Sequence, residues 1–171
     1  MEVGFQFEMA ERLAKYLGLR LEITTPRSQS EMIEMLNMGN VDVIASVLTV
    51  TDARSEKVQF SDPFIYVDET LVQPKLEPRI TDPAQLAGKK VVVRPSSSYW
   101  ETLSALQRKV PTLDVVAAVE ELETEDLIAR VGRKEIPLTV ADSNILEMEK
   151  TWRDDIAGTL IVGEKKVLAY A

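Results

Sequence analysis

The chain has no histidine and no cysteine among its 171 residues. These absences remove whole classes of chemistry. Zinc, haem and iron–sulfur ligation through imidazole or thiolate is excluded, as are thiol nucleophiles and a Ser-His-Asp triad. No disulfide can form, which is compatible with an oxidising compartment without demanding one. No apolar run is long enough to span a bilayer, and no secretory leader is legible, so any export signal is expected to have been removed or to lie outside these residues. Cationic charge is scarce: 20 Lys and Arg against 28 Asp and Glu leave a formal net charge of -8. Nucleic acid and anionic membranes require a cationic face, so neither is an expected partner. No metal and no cofactor is expected.

What remains is an ordinary globular composition, 45% hydrophobic, long enough for one domain or two small lobes. Met9, Leu13, Ala14 and Leu17 share one face of a helix over 8–17, which Gly18 stops. Leu19, Leu21 and Ile23 alternate as a strand. Ser28 and Glu31 have capping-box spacing and open a helix that carries Ile33 and Leu36 and ends near Gly39. The apolar run 41–47 predicts a strand covered on both faces. Helices alternating with strands argue for a parallel α/β sheet.

Residues 71–75 are expected to be a strand crossing between lobes, and a second α/β series follows. Its expected strands are 90–94, 113–119, 137–141, 156–162 and 166–171. Its expected helices are 98–110, with Trp100, Leu103 and Leu106 inward, 124–131, stopped by Gly132, and 144–152. Lys165 and Lys166 read as a solvated turn, and Tyr99, Trp100 and Trp152 as core or rim.

Three strand ends carry candidate chemistry. The first is Thr49-Val50-Thr51-Asp52-Ala53-Arg54, followed by Phe60-Ser61-Asp62-Pro63-Phe64. A strand end that brings hydroxyls and one guanidinium together can hold a carboxylate, because the planar arginine fork makes two parallel hydrogen bonds. The bland alternative is a surface arginine paired with Asp52 or Asp62. The second is Arg94-Pro95-Ser96-Ser97-Ser98, where Ser98, spaced three from Glu101, reads as the N-cap. Ser96 and Ser97 then precede a helix N-terminus, whose amides and dipole favour an anion; the alternative is plain capping. The third is Asp142, which ends an apolar strand where open α/β sheets bind ligands. It can hold an ammonium group, or it can cap the next helix. Arg54 and Ser97 suit a carboxylate and Asp142 suits an amine, a combination that describes a zwitterion.

The Thr-Asp-x-Arg turn, the following Phe-Ser-Asp-Pro, the opening Gly-Phe-Gln-Phe-Glu-Met-Ala at 4–10 and Leu-Asn-Met-Gly-Asn-Val-Asp-Val at 36–43 resemble the type 3 periplasmic solute-binding proteins over nearly the whole chain. The resemblance implies a two-lobed α/β fold of the type II periplasmic-binding-protein kind, located in the periplasm or otherwise outside the cytoplasm. It implies that Arg54 takes the ligand α-carboxylate, Thr49 hydrogen-bonds the ligand, Ser97 adds a hydroxyl and a backbone contact, and Asp142 takes the α-amine. The stretches 91–103, 122–131 and 139–143 also resemble the sensor domains of membrane-bound lytic transglycosylase F-like proteins. That implies a regulatory part whose ligand is an amino acid or a cell-wall peptide and whose partner is an attached catalytic domain. A membrane transporter is the partner if the chain is instead an amino-acid carrier.

Two departures from the family pattern shape these expectations. Gln29 stands where amino-acid binders often have an aromatic ring, which suits a wider or more polar ligand. Only Met1, Glu2 and Val3 stand where the family has a first strand, and the chain stops at Ala171, where a second crossing strand returns. Lobe one, residues 1–72, is therefore expected to be incomplete. Lobe two is expected over 73–165, with the second crossing strand starting at 166–171. Unpaired sheet edges favour a domain-swapped oligomer. Lobe closure about the two crossings is the expected signal. The chain itself is expected to be non-catalytic; the enzymatic alternative is a cyclohexadienyl-dehydratase-like activity, for which Glu123 is the one nameable acid or base.

Overall fold

The computed structural model describes residues 4–171, and the chain divides into two compact units. One contains the residues up to Tyr66 together with Val167–Ala171; the other is Val67–Lys166. The expectation about a strand at Met1 to Val3 lies outside the described residues.

In the first unit, α1 spans Phe5–Leu17. Gly18 ends it in the left-handed region at φ 69, where a residue without Cβ meets no steric cost. The apolar face of α1 is exposed, with Phe5 at 63% and Leu13 at 43%. Helix α2, Gln29–Asn37, starts as its capping residues require: Ser28 Oγ accepts from the Glu31 N–H at 3.1 Å, and the Glu31 carboxylate accepts from the Arg27 N–H at 2.6 Å. Its Ile33 packs with Ile44, Leu48 and Val58 into this unit's core.

Strand β1 is only Leu48–Thr49, and it pairs antiparallel with the end of the last strand, Leu48 opposite Ala169 and Thr49 opposite Leu168. A four-residue helix, α3, Asp52–Ser55, follows directly. The strands expected at 19–23 and 41–47 are absent. Ile44 exchanges backbone hydrogen bonds with Ala171 at 2.5 and 3.4 Å, but the run forms no ladder. Apolar alternation says which side of a segment avoids water. It does not supply the neighbouring backbone that a strand requires.

In the second unit, β2, Ile65–Pro74, pairs antiparallel with β5, Thr139–Asp142, in the register Glu69 to Asp142, Leu71 to Val140 and Val72 to Thr139. Period-two alternation sends Leu71 and Val140 into one cluster, with Leu86, Val91, Val93 and Leu103, and Val72 and Ala141 into another, with Ile128, Val131 and Leu146. The pair β3, Lys90–Val93, and β4, Asp114–Ala117, is parallel, joined by α4, Ser98–Gln107. Helix α5 is Thr124–Gly132 and α6 is Ser143–Glu149. The strand pairing is thus mixed rather than purely parallel. A helical crossover makes β3 and β4 parallel, whereas β2 enters the unit from outside and its direction is not set by such a crossover.

The last strand, β6, runs unbroken over Ile156–Ala169 where two strands were expected. Lys165 sits inside it at φ 52, and its N–H donates to Asp68 Oδ1 at 2.9 Å, so the apparent turn is absorbed into the strand. Lys166 is not simply solvated: its Nζ lies 3.0 Å from Thr102 Oγ1 and 3.6 Å from Glu69 Oε2. Strands β2 and β6 are neighbours, and each carries the chain across a unit boundary. Gly132 does not stop α5 with a left-handed turn. It lies within the helix, and the left-handed residue is Lys134 at φ 61.

Gly158 on β6 is required by close approach. A Cβ there would lie 2.4 Å from Leu146 Cδ2 and 3.1 Å from Thr70 Cγ2. Leu146 is a core side chain with little room to yield. Gly158→Ala is expected to destabilise the protein by about 1–3 kcal/mol, as overpacked cores do, and urea unfolding will measure it. An unchanged midpoint would show that Leu146 repacks freely.

Candidate functional site

The first unit assembles three of the expected residues. Thr51 caps α3, its Oγ1 accepting from the Arg54 N–H at 3.3 Å. That short helix directs Arg54 back toward the end of β1. The Arg54 guanidinium is buried at 4% exposure; Nη1 donates to the Thr49 carbonyl at 2.8 Å and Nη2 to Gln29 Oε1 at 2.5 Å. Thr49 is buried as well. Gln29 is the first residue of α2, so the capping chemistry at Ser28 also places the amide that orients the arginine. At that burial Arg54 is not a surface arginine. The contacts to the Thr49 carbonyl and the Gln29 amide oxygen fix the plane of the guanidinium.

The second unit holds Ser96, Ser97 and Asp142. Ser97, not Ser98, is the N-cap of α4. Its Oγ donates to the Arg94 carbonyl at 2.7 Å, and its N–H donates to the same carbonyl at 3.1 Å, which closes a tight turn after β3 and shifts the helix start by one residue from the capping-box reading. Ser96 donates twice to Glu120, from N to Oε1 at 2.9 Å and from Oγ to Oε2 at 2.5 Å. A carboxylate of the protein itself therefore rests on the serine turn beside the α4 N-terminus, the charge that a helix N-terminus favours.

Asp142 is buried at 6% exposure and stands at the N-cap position of α6, but its side chain makes no capping hydrogen bond. Its own N–H donates to the Tyr99 hydroxyl at 3.1 Å. Glu69, fully buried, lies directly opposite it across the ladder. Thr102 Oγ1 donates to Glu69 Oε2 at 2.5 Å. Burial, then the nearby charge of Asp142, pushes the Tyr99 phenol far above its ordinary range, so the hydroxyl stays protonated.

Glu120, Arg94, Glu69 and the hydroxyl of Tyr99 escaped the sequence reading. Only Arg94 carried a signal, as a charge at the end of an apolar strand. It is buried and pairs with Glu123 Oε2 at 3.1 Å. Glu123 is thereby committed to that ion pair and to the N-cap of α5, where it has a capping box with Asp126. An open cavity of about 570 Å³ lies against α1, lined by Glu11, Arg12, Lys15 and Leu19 among others, and none of the candidate residues lines it.

The α/β architecture is that of the two-lobed, type II periplasmic-binding proteins. Residues 2–157 match the sequence profile of the bacterial extracellular solute-binding proteins, family 3, and the chain belongs to that family. It is 34% identical over 162 residues, 95% of its length, to a membrane-bound lytic murein transglycosylase F of Shewanella sp. (strain MR-4), of which it covers 34%. A protein of the same name from Desulfosudis oleivorans (strain DSM 6200 / JCM 39069 / Hxd3) is 34% identical over 169 residues, 99% of this chain and 37% of that one. The chain thus spans about a third of the length of the curated relatives it matches. Among solved structures, the arginine-bound form of truncated ArgBP from T. maritima superposes with a TM-score of 0.84 at 25% identity, covering 98% of this chain and 76% of that one.

Proposed function

We propose that this chain is the ligand-binding, regulatory part of a lytic-transglycosylase-like protein outside the cytoplasm, and that it takes an amino acid or a small cell-wall peptide. Arg54 holds the ligand carboxylate, with Thr49 and Gln29 beside it. Ser97 and Ser96 add polar contacts, and Asp142 holds the amine. The chain binds and does not turn over its ligand; a catalytic partner domain receives the signal. Closure of the lobes about β2 and β6 is that signal, driven by contacts the ligand makes better in the closed form than in the open one. The domain limits proposed from sequence, 1–72 and 73–165, place Arg54 and Asp142 in different lobes.

The observation that carries this reading is the burial of Arg54 at a strand end, held by the Thr49 carbonyl and Gln29. A guanidinium buried and oriented at a strand end is suited to an incoming carboxylate, which it can meet with two parallel hydrogen bonds. The relatives' name and the arginine in the ArgBP structure support the two ligand classes. The test is thermal unfolding in the presence of single L-amino acids and of murein stem peptides. A ligand at about a hundred times its dissociation constant adds about 2.7 kcal/mol, a rise of roughly 5 to 10 °C for a protein of this size. Cooperative unfolding that no member of either class shifts would overturn the proposal.

A further inference from the structure

Ser97 and Asp142 lie 45 positions apart in sequence on different elements, yet one side chain joins their surroundings. Tyr99 stands in the first turn of α4, two residues after the Ser97 cap. Its hydroxyl accepts the backbone N–H of Asp142, the last residue of β5. The Thr124 side chain, from the first turn of α5, hydrogen-bonds the same hydroxyl. Tyr99, Thr124 and Asp142 are all buried, at 7%, 5% and 6% exposure. Three chain segments thus meet on one phenolic oxygen.

A buried hydroxyl is costly unless it is used, and phenylalanine would fill the same volume without that cost. The ring belongs to the core cluster of Leu71, Val93 and Leu103, so packing accounts for the ring but not for its oxygen. The oxygen has a directional role: it fixes where the Asp142 backbone leaves the ladder. Glu69, opposite Asp142 and fully buried, is paired through Oε2 with Lys166 Nζ at 3.6 Å, and its Oε1 has no hydrogen-bond partner among the described residues. That end of β5 is therefore held in place from the helix that carries the serine turn.

We propose that Tyr99 is a positioning residue for amine recognition: its hydroxyl, set by Thr124, holds the Asp142 backbone so that the carboxylate meets a ligand ammonium in a fixed geometry relative to the α4 N-terminus. This rests on the reading of Asp142 as the amine site. The consequence is specific. The hydroxyl matters for ligands that carry an α-amine and not for the same ligands without it.

The experiment measures dissociation constants by calorimetry for L-arginine, L-lysine and L-glutamine, each against its des-amino counterpart: 5-guanidinovaleric acid, 6-aminohexanoic acid and glutaramic acid. Wild type, Tyr99→Phe and Thr124→Val are compared, with melting temperatures recorded alongside. The wild type is expected to prefer the amino form of at least one pair. Tyr99→Phe is expected to shrink that preference about 5- to 10-fold, the worth of one directional hydrogen bond, and Thr124→Val to shrink it less. A loss of structure alone would weaken both members of a pair equally. A wild type that binds none of the three amino acids, or that does not separate the pairs, overturns the assignment of Asp142 and this inference with it. A wild type that does separate them, with both variants keeping the full ratio, overturns the role of Tyr99 and leaves Asp142 standing. Should Tyr99→Phe not fold, Thr124→Val decides alone: an unchanged ratio refutes, a reduced one supports.

Discussion

Arg54→Ala is expected to abolish ligand binding, raising the dissociation constant about 100-fold or more. A carboxylate held by a buried guanidinium gains two charge-assisted hydrogen bonds, and truncating one side of such a pair costs about 2–5 kcal/mol. The substitution also leaves the Thr49 carbonyl and the Gln29 amide oxygen without the donor that now satisfies them. Some loss of stability accompanies the loss of binding, so titration must be done where circular dichroism shows the variant folded. Arg54→Lys separates the two effects. It keeps the charge but cannot bond the ligand, Thr49 and Gln29 together through one planar fork. It is expected to retain most of the stability and lose at least about tenfold in affinity, a little over 1 kcal/mol. Wild-type affinity in Arg54→Ala would remove the carboxylate site from Arg54.

Asp142→Asn carries the second large effect. The change is isosteric, and Asn is as good at an N-cap position as Asp, so the start of α6 and the backbone bond to Tyr99 should survive. Only the charge is lost. For a zwitterionic ligand the ammonium then faces a neutral amide, and affinity is expected to fall about 100-fold, within the range for losing one partner of a buried charge pair. Affinity for the same ligand without its amine should stay within about twofold, since no charge pair with Asp142 existed to lose. Calorimetric titration of both ligands into Asp142→Asn checks this. Equal losses for both would mean that Asp142 supports the fold of the site and does not contact the amine.

Sequence was a good guide wherever the physics is local. The Ser28 cap and the Gly18 stop are decided within four or five residues by capping oxygens and by the freedom of glycine, and both stand in the structure. The span of β3 follows from a short apolar run. The N-cap expected at Ser98 falls one position earlier, at Ser97, whose hydroxyl donates to the Arg94 carbonyl in the turn that starts the helix.

The candidate site was legible as a set of residue types at strand ends. Its arrangement was not. Nothing in the sequence says that Gln29 orients Arg54 across 25 positions, that Glu120 occupies the Ser96 turn across 24, or that Tyr99 holds Asp142 across 43. Each depends on how separate elements dock, which is fixed by packing and register over the whole unit. The run 41–47 shows the same limit: its composition is that of a strand, but a strand exists only where another backbone lies beside it. The sequence by itself determined the local elements, the absence of histidine and thiol chemistry, and the charged residue types that stand at the strand ends. Tertiary structure alone decided which of those charges are buried, what orients them and which strands form, because backbone pairing and side-chain burial are properties of segments brought together and not of any segment alone.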